Sequence, residues 1–371
     1  MGKKNRSVDR RLTAVKAPPL HDQIEVCLFG PGYGECILLH VGNGNWVIID
    51  SCLNAESHPA ATAYLHGLGL DPAGVVRFVV ATHWHDDHIR GLGKLIEICD
   101  KATFCCASAL CKNEFLTAVG AMASGHVSTA GSGMQEFYKV LSLLAERSSV
   151  PKFALANRLI FDEGGCKIWS LSPSDEEFTA FLQEIGGLLP KKHETKRRIS
   201  ALTPNEVAVV LLVKIDDLAI LLGADLESPG WLKILDANER PNYKASVFKI
   251  PHHGSQDAHE ERVWNEMLYS TPIATLTPWQ RGGKRLPTRG DIKRILSFTP
   301  RAYTTASHSI YTRKPVRRRS SEVESMIKET GVKFRRIRPS SGIIRLRKKR
   351  SSRNGWDVQL LGSACKLADS S

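Results

Sequence analysis

The chain has 371 residues, 42% of them hydrophobic, and carries a formal net charge of +13. That supplies a substantial core in one large domain or one domain with additions. No apolar run approaches the roughly 20 residues of a membrane-spanning helix. The amino-terminal "MGKKNRSVDRRLTAVK" has no apolar stretch and is not a secretory signal, and Arg6 stands where acylation of Gly2 would want Ser or Thr. Nine cysteines, an odd number without paired spacing, read as reduced thiols of a cytoplasmic protein.

In chain order, residues 1–20 read as a flexible basic arm ending in "APPL". "IEVCLFG", "ECILLHVG" and "NWVIID" read as three strands, the last two joined at the hairpin-type turn "GNG". "AATAYLHGLG" is a helix ending in glycine, "VVRFVVAT" a buried strand, "GLGKLIEIC" a helix and "ATFCCAS" a strand. Residues 111–150 form a mostly helical insertion, strongest in "MQEFYKVLSLLAER" with its spacing of three and four. "CKIWSLSP" is a strand, and "SDEEFTAFLQEIGGLL" opens with the Ser-x-x-Glu pattern of a capped helix. "KKHETKRR" is a basic loop and "VAVVLLVKIDDLAILLGAD" a strand hairpin. "KASVFKIPHHGS" ends a further strand, and "PIATLTP" and "RAYTTAS" flank the helix "RGDIKRILSF". "VKFRRIRPSSGIIRLRKK" is a basic hairpin, and residues 351–371 a carboxy-terminal tail. Strands and helices follow in two runs, which is a layered α/β arrangement.

The densest chemistry lies in "ATHWHDDHIRGL". Here His83, His85 and His88, with Asp86 and Asp87, fall within six residues after a buried strand. Neutral imidazoles suit zinc or manganese. In extended backbone His83 and His85 face one side and can grip one ion, while Asp87 and His88 can turn onto a second. Other strand ends carry related residues: Asp50 after "NWVII", Asp225 after "AILLGA" and His252–His253 after "VFKIP". One such residue is an ordinary turn, whereas a set of them at successive strand ends points to a shared site.

"THWHDDH", "GAD" and "HHGS" together resemble the metallo-β-lactamase superfamily, most closely its branch of competence-type DNA-uptake nuclease domains. "GYGECILL" (Gly32, Gly34, Glu35, Cys36), Asp50, Asn205 in "PNEVAVVLL" and "SSGIIRLR" match further positions, so the resemblance runs from about Ile24 to Arg347. It implies a four-layer αββα sandwich over residues 21–350, with two divalent metal ions in the cleft. By position, His83 and His85 would hold the first ion, Asp87 and His88 the second, and Asp225 would bridge. His253 would complete the second site with His252 facing substrate, although these two could be exchanged. Asp87 and His252 are the catalytic candidates, and Asp50 would hydrogen-bond a ligating histidine. Two positions depart from the family pattern. Asn205 stands where a histidine ligand is usual (His126 and His193 lie between His88 and Asp225 but follow no convincing strand), and Leu286 precedes Pro287 where histidine is usual.

Two bound ions can acidify a shared water and stabilise an oxyanion, which suits a phosphodiester, a lactam or a thioester. Charge chooses among them. From Thr312 to Asn354 there are 16 Lys plus Arg against 3 Glu, a surface for a polyanion. In "GIIRLRKKR", Ile344 and Leu346 alternate with Arg345 and Arg347, so one strand face would pack. The other, with Lys348, Lys349 and Arg350, would contact phosphates. The expectation is a metal-dependent phosphodiesterase or nuclease acting on nucleic acid, DNA before RNA, with no membrane partner. The alternatives are a hydrolase of a small phosphodiester or thioester, and a nucleic-acid-binding subunit with a degenerate site at Asn205.

Overall fold

Alternation of apolar residues builds the molecule's middle. Val207, Val209, Leu211, Val213 and Ile215 enter one buried cluster, while Ala208, Val210 and Leu212 enter another. A strand turns successive side chains to opposite faces, so this segment belongs to a sheet covered on both sides. The computed structural model describes residues 17–30, 34–107, 127–128, 133–188, 197–198, 204–281, 283–307, 326, 342–352 and 355–370.

Two eight-stranded sheets face each other. The first runs, edge to edge, Asp357–Leu361, Gly342–Lys349, Gln23–Gly30, Cys36–His40, Trp46–Ile49, Val76–Ala81, Thr103–Ala107, Lys152–Ala154. The second runs Cys365–Lys366, Ala302–Thr304, Leu268–Leu276, Ala245–Lys249, Leu218–Leu222, Leu211–Ile215, Cys166–Ser170, Arg158–Glu163. The larger apolar cluster fills the space between the sheets and continues under the helices Ala60–Gly67, Leu92–Ile98 and Gly133–Glu146. The second cluster lies on the other face of the second sheet, under Ser228–Asp236 and Arg289–Phe298. This is the expected α/β sandwich of two sheets with helices outside.

Local chemistry explains the helix starts. Ser174 accepts from the Glu177 amide at 3.3 Å while the Glu177 carboxylate accepts from the Ser174 amide at 2.8 Å, a reciprocal cap. Thr288 and Asp291 make the same box at Arg289–Phe298. In Ser228–Asp236 the buried Trp231 donates its indole N–H to Leu226 O at 3.0 Å. Burying such a side chain contributes about 1.5–3 kcal/mol, provided its polar atom finds a partner.

Two expectations need correction. Residues 351–371 are not a tail: Asp357–Leu361 pairs with Gly342–Lys349 in the first sheet, and Cys365–Lys366 with Ala302–Thr304 in the second. Nor does the strand Gly342–Lys349 present a free basic face. Its outer side is covered, so Arg345 is buried and donates to Gln359 and, at 3.2 Å, to the Tyr64 hydroxyl. Arg347 pairs with the fully buried Glu25, and Arg350 with Asp216. Lys349 is exposed and Lys348 half-buried. The arm at residues 1–16, most of the insertion before Gly133 and most of the basic loop Lys191–Arg198 lie outside the described residues. So does most of the stretch 308–341. The eight cysteines among the described residues are free thiols. Among these residues no helix is long and apolar enough to cross a membrane.

Candidate metal centre

Parallel pairing brings the chemistry to one edge. Trp46–Ile49 is parallel to Val76–Ala81, and Leu218–Leu222, Ala245–Lys249 and Leu268–Leu276 are parallel to one another. Their carboxyl ends deliver Asp50, Thr82–His83, Asp225, His252–His253 and Thr277, in the crevice where α/β sheets bind ligands. Cys36–His40 runs antiparallel to Trp46–Ile49, so Glu35, just before it, starts from the same edge. The backbone there is unusual. Asp50, Ala224, His252 and His253 have φ of 60°, 44°, 45° and 53°, the left-handed region that non-glycine residues visit at a cost. Gly34, at φ 119°, lies so close to Cys52 that a Cβ would come within 2.9 Å of the Cys52 Cβ. At Gly133 a Cβ would fall 2.1 Å from the Trp84 carbonyl. Glycine there lets the helix Gly133–Glu146 press onto the "HWH" segment.

Three histidines are pinned by one ring nitrogen. His88 Nδ1 lies 2.7 Å from Asp50 Oδ2, and Asp50 also accepts from the Thr82 amide at 2.7 Å and hydroxyl at 2.8 Å. With its proton given to Asp50, the Thr82 hydroxyl accepts from His83 Nδ1 at 2.9 Å. His253 Nδ1 donates to Thr277 O at 3.0 Å. In the neutral ring each Nε2 lone pair would thereby face the cleft. There His88 Nε2 lies 3.3 Å from Asp225 Oδ1, out of line for a hydrogen bond, and both atoms lack a partner among the described residues. His83 Nε2 is 3.2 Å from His85 Nδ1 and 3.9 Å from Asp225 Oδ2. His253 Nε2 is 3.2 Å from Asp87 Oδ2 and 3.7 Å from Asp225 Oδ2.

These residues fit a metal ion. The groups His83–His88–Asp225 and Asp87–His88–His253 each gather ligand atoms within 4.8 Å of one another, all from buried residues. Buried polar groups normally find partners, and the facing His88 and Asp225 atoms would find theirs in a cation. Electrostatics separate the histidines. Burial pushes His83 and His85 below the usual imidazole value. Burial acts the same way on His88 and His253, but neighbouring carboxylates outweigh it and hold both above. Burial would raise Asp87 and Asp225, yet the cationic partners hold both down. Asp50 is raised by burial.

His83, His85, Asp87, His88, Asp225 and His253 therefore converge, with Asp50 behind His88. His252 stands at the mouth, its side chain 22% exposed and its Nδ1 3.7 Å from Glu227 Oε1. Asn205 does not meet this group: its Nδ2 donates to Glu227 Oε1 at 3.1 Å, and its Oδ1 has no partner among the described residues. The basic positions 345–350 lie away from the cleft. Lys349 pairs with Gln23 and Gly342 with Gly30, and a strand rises roughly 3.3 Å per residue. Sequence reasoning missed Lys249, Thr82, Thr277 and Glu227, and assigned Glu35 no role. Lys249 is 1% exposed and pairs with the Glu35 carboxylate, whose other oxygen accepts from the Thr277 hydroxyl. Burial would depress the Lys249 ammonium, but Glu35 and Asp225 raise it. A lysine at an inward strand position beside Val247 was the available signal.

A family model described as metallo-β-lactamase superfamily matches residues 29–116, a segment that contains the histidine cluster. The match covers less than half of the chain, and within that segment the chain is similar to the superfamily. Superfamily members are generally metal-dependent hydrolases. No curated protein matches this chain. Solved structures of similar fold include a metallo-β-lactamase from Cronobacter sakazakii, a mutant in its HARLDQ motif. It is 18% identical over 60% of this chain and 75% of that one, with a TM-score of 0.36. MEM-A1, a subclass B3 enzyme from a soil metagenome library, is 12% identical over 65% and 83%, with a TM-score of 0.35. The metallo-β-lactamase fold protein YhfI from Bacillus subtilis is 12% identical over 61% and 70%, with a TM-score of 0.32. Likeness of this size says nothing of substrate.

Proposed function

We propose that the chain is a metal-dependent phosphodiesterase acting on nucleic acid, DNA in the first instance. The single observation that carries the hydrolase reading is the unpartnered, facing pair His88 Nε2 and Asp225 Oδ1 in a ring of further ligands. Zinc or manganese held by His83, His85, Asp87, His88, Asp225 and His253 would supply an acidified water and positive charge for an oxyanion. The protein's own groups do the rest. Asp225 lies between His83, His88 and His253, so one carboxylate organises both halves of the site. Asp50 and Thr277 fix tautomers. His252, its side chain 22% exposed and beside Glu227, would face the substrate and give a proton to the departing oxygen.

The phosphodiester assignment rests on the charge of the sequence between Ser307 and Gly342. Residues 308–341 contain 10 Lys plus Arg and 3 Glu. The described residues flanking this stretch adjoin the site. Gly342 packs on the Thr305 carbonyl, and Gly30 lies against Thr305 and Thr277, whose backbone carbonyl orients His253. This basic stretch, rather than Arg345 to Arg350, is the proposed contact with phosphates. Protein loaded with zinc or manganese should hydrolyse bis(p-nitrophenyl) phosphate and cleave labelled DNA, with RNA assayed alongside. Metal-loaded protein that turns over none of these overturns the reading. Binding of nucleic acid without turnover marks instead a binding subunit.

A further inference from the structure

Lys249 has no place among the ligands just described, yet its ammonium lies at the inner end of their cluster. It donates to Ala224 O at 2.8 Å and pairs with the Glu35 carboxylate, while Asp225 Oδ1 lies 3.7 Å away, beyond hydrogen-bond distance. Lys249 is 1% exposed and both carboxylates 2%. Glu35, Asp50 and His88 form a third group whose ligand atoms lie within 4.8 Å of one another. Unlike the two outer groups, it includes neither Asp225 nor Asp87. Its Glu35 oxygen is the one held by Lys249, 3.8 Å from His88 Nδ1.

We propose that the Lys249 ammonium stands in for a cation: it occupies a latent inner metal position and confines divalent ions to the outer positions around Asp225. This rests on the metal-hydrolase reading above. A fixed charge repels a divalent ion placed a few ångströms away, and its grip on Glu35 withdraws that carboxylate from coordination. The same ammonium holds ligands in place before any metal arrives. It takes the Ala224 carbonyl, on the left-handed residue that sets Asp225. Through Glu35 and Thr277 it also reaches the carbonyl that orients His253. Without Lys249, the buried Glu35 loses its nearest cation and keeps only the more distant His88 and His253 rings, an unfavourable state that a divalent ion relieves.

The test compares wild type, Lys249→Ala and the charge-free pair Lys249→Met with Glu35→Gln. Melting is followed in chelator and in manganese, and bound metal is counted by equilibrium dialysis with elemental analysis. Lys249→Ala should melt well below wild type in chelator. In manganese it should recover and hold one equivalent more than wild type. The double variant should fold in chelator and hold the wild-type number. Equal metal content in Lys249→Ala and loaded wild type overturns the inference and leaves the hydrolase reading intact. So does a Lys249→Ala protein that stays unfolded at manganese concentrations that load wild type. A wild type that takes up no metal overturns both.

Discussion

Two of the polar clusters buried among the described residues differ in what they leave open. On the outer side of the first sheet, Glu25 accepts from Tyr64 at 2.8 Å, from the Cys27 thiol at 3.3 Å and from Arg347, while Arg345 reaches Tyr64 and Gln359. Arg347 also donates to Ala17 O at 2.9 Å. None of the buried side-chain atoms in this cluster lacks a hydrogen-bond partner. In the cleft, Glu35, Asp50, Asp87 and Asp225 share one lysine and four histidines. Unpartnered atoms face one another there, and the backbone turns left-handed at Asp50, Ala224, His252 and His253. A saturated polar cluster holds sheets and strands together. One that is strained and partly unpartnered is built to receive something. Burial alone does not separate them, since Glu25 is 0% and His88 0% exposed.

The largest effect should come from Asp225→Ala. It removes the carboxylate common to both halves of the cleft, so hydrolysis should fall by more than the roughly 100-fold seen when only supporting residues are lost. The melting curve should show a folded protein, because the change lies beyond a strand end. Retained turnover would mean that another group does the organising. The complementary break is Glu25→Gln. Stranding Arg347 should cost about 3–5 kcal/mol in chemical denaturation, while metal content stays at the wild-type value. Adding Arg347→Gln should return part of that loss, because the two residues are one interaction. If Glu25→Gln instead lowers metal content at a temperature where it is folded, the clusters are not independent.

Asp50→Asn probes the supporting layer of the cleft. It weakens the hold on His88 Nδ1, and metal affinity should drop about 10–100-fold. The smallest effect is a pH curve for chelator-treated protein. His83 and His85 are depressed, so their contribution is lost as pH falls below the unfolded value near about 6.5. His88 and His253 are raised, so theirs is complete below that value and is lost as pH rises through their folded values. Stability should therefore peak near neutrality. Metal should abolish the decline on the alkaline side, since ligation requires neutral imidazole. A monotonic curve would contradict the opposed shifts.

Much of this was legible in the sequence. Strand ends carrying His83, Asp225 and His253 followed from apolar runs broken by ligand-type residues, and Ser174 with Glu177 announced a helix start. Other features depended on distance along the chain. Alternation in "GIIRLRKK" correctly separates two faces, but it cannot say that helix Ala60–Gly67 covers the second, so Arg345 and Arg347 read as surface charge. "DVQLL" is too short to announce the strand Asp357–Leu361. The choice of His253 over His252 as the inward ring is set by consecutive left-handed residues, which neither histidine signals. Lys249 and Glu35 explain one another only once the two sheets face each other.

The pairing of Gln23 with Lys349 also sets a timetable. During synthesis Gln23–Gly30 emerges early, with seven of its eight residues destined for burial, and the strand that covers one of its edges is made long afterwards. Until then that edge is a bare ladder of amides and carbonyls on an apolar ribbon, the kind that recruits strangers. Ribosome-stalled chains halted before Gly342 should therefore be the aggregating or chaperone-bound species of this protein, and release past Lys349 the step that frees them.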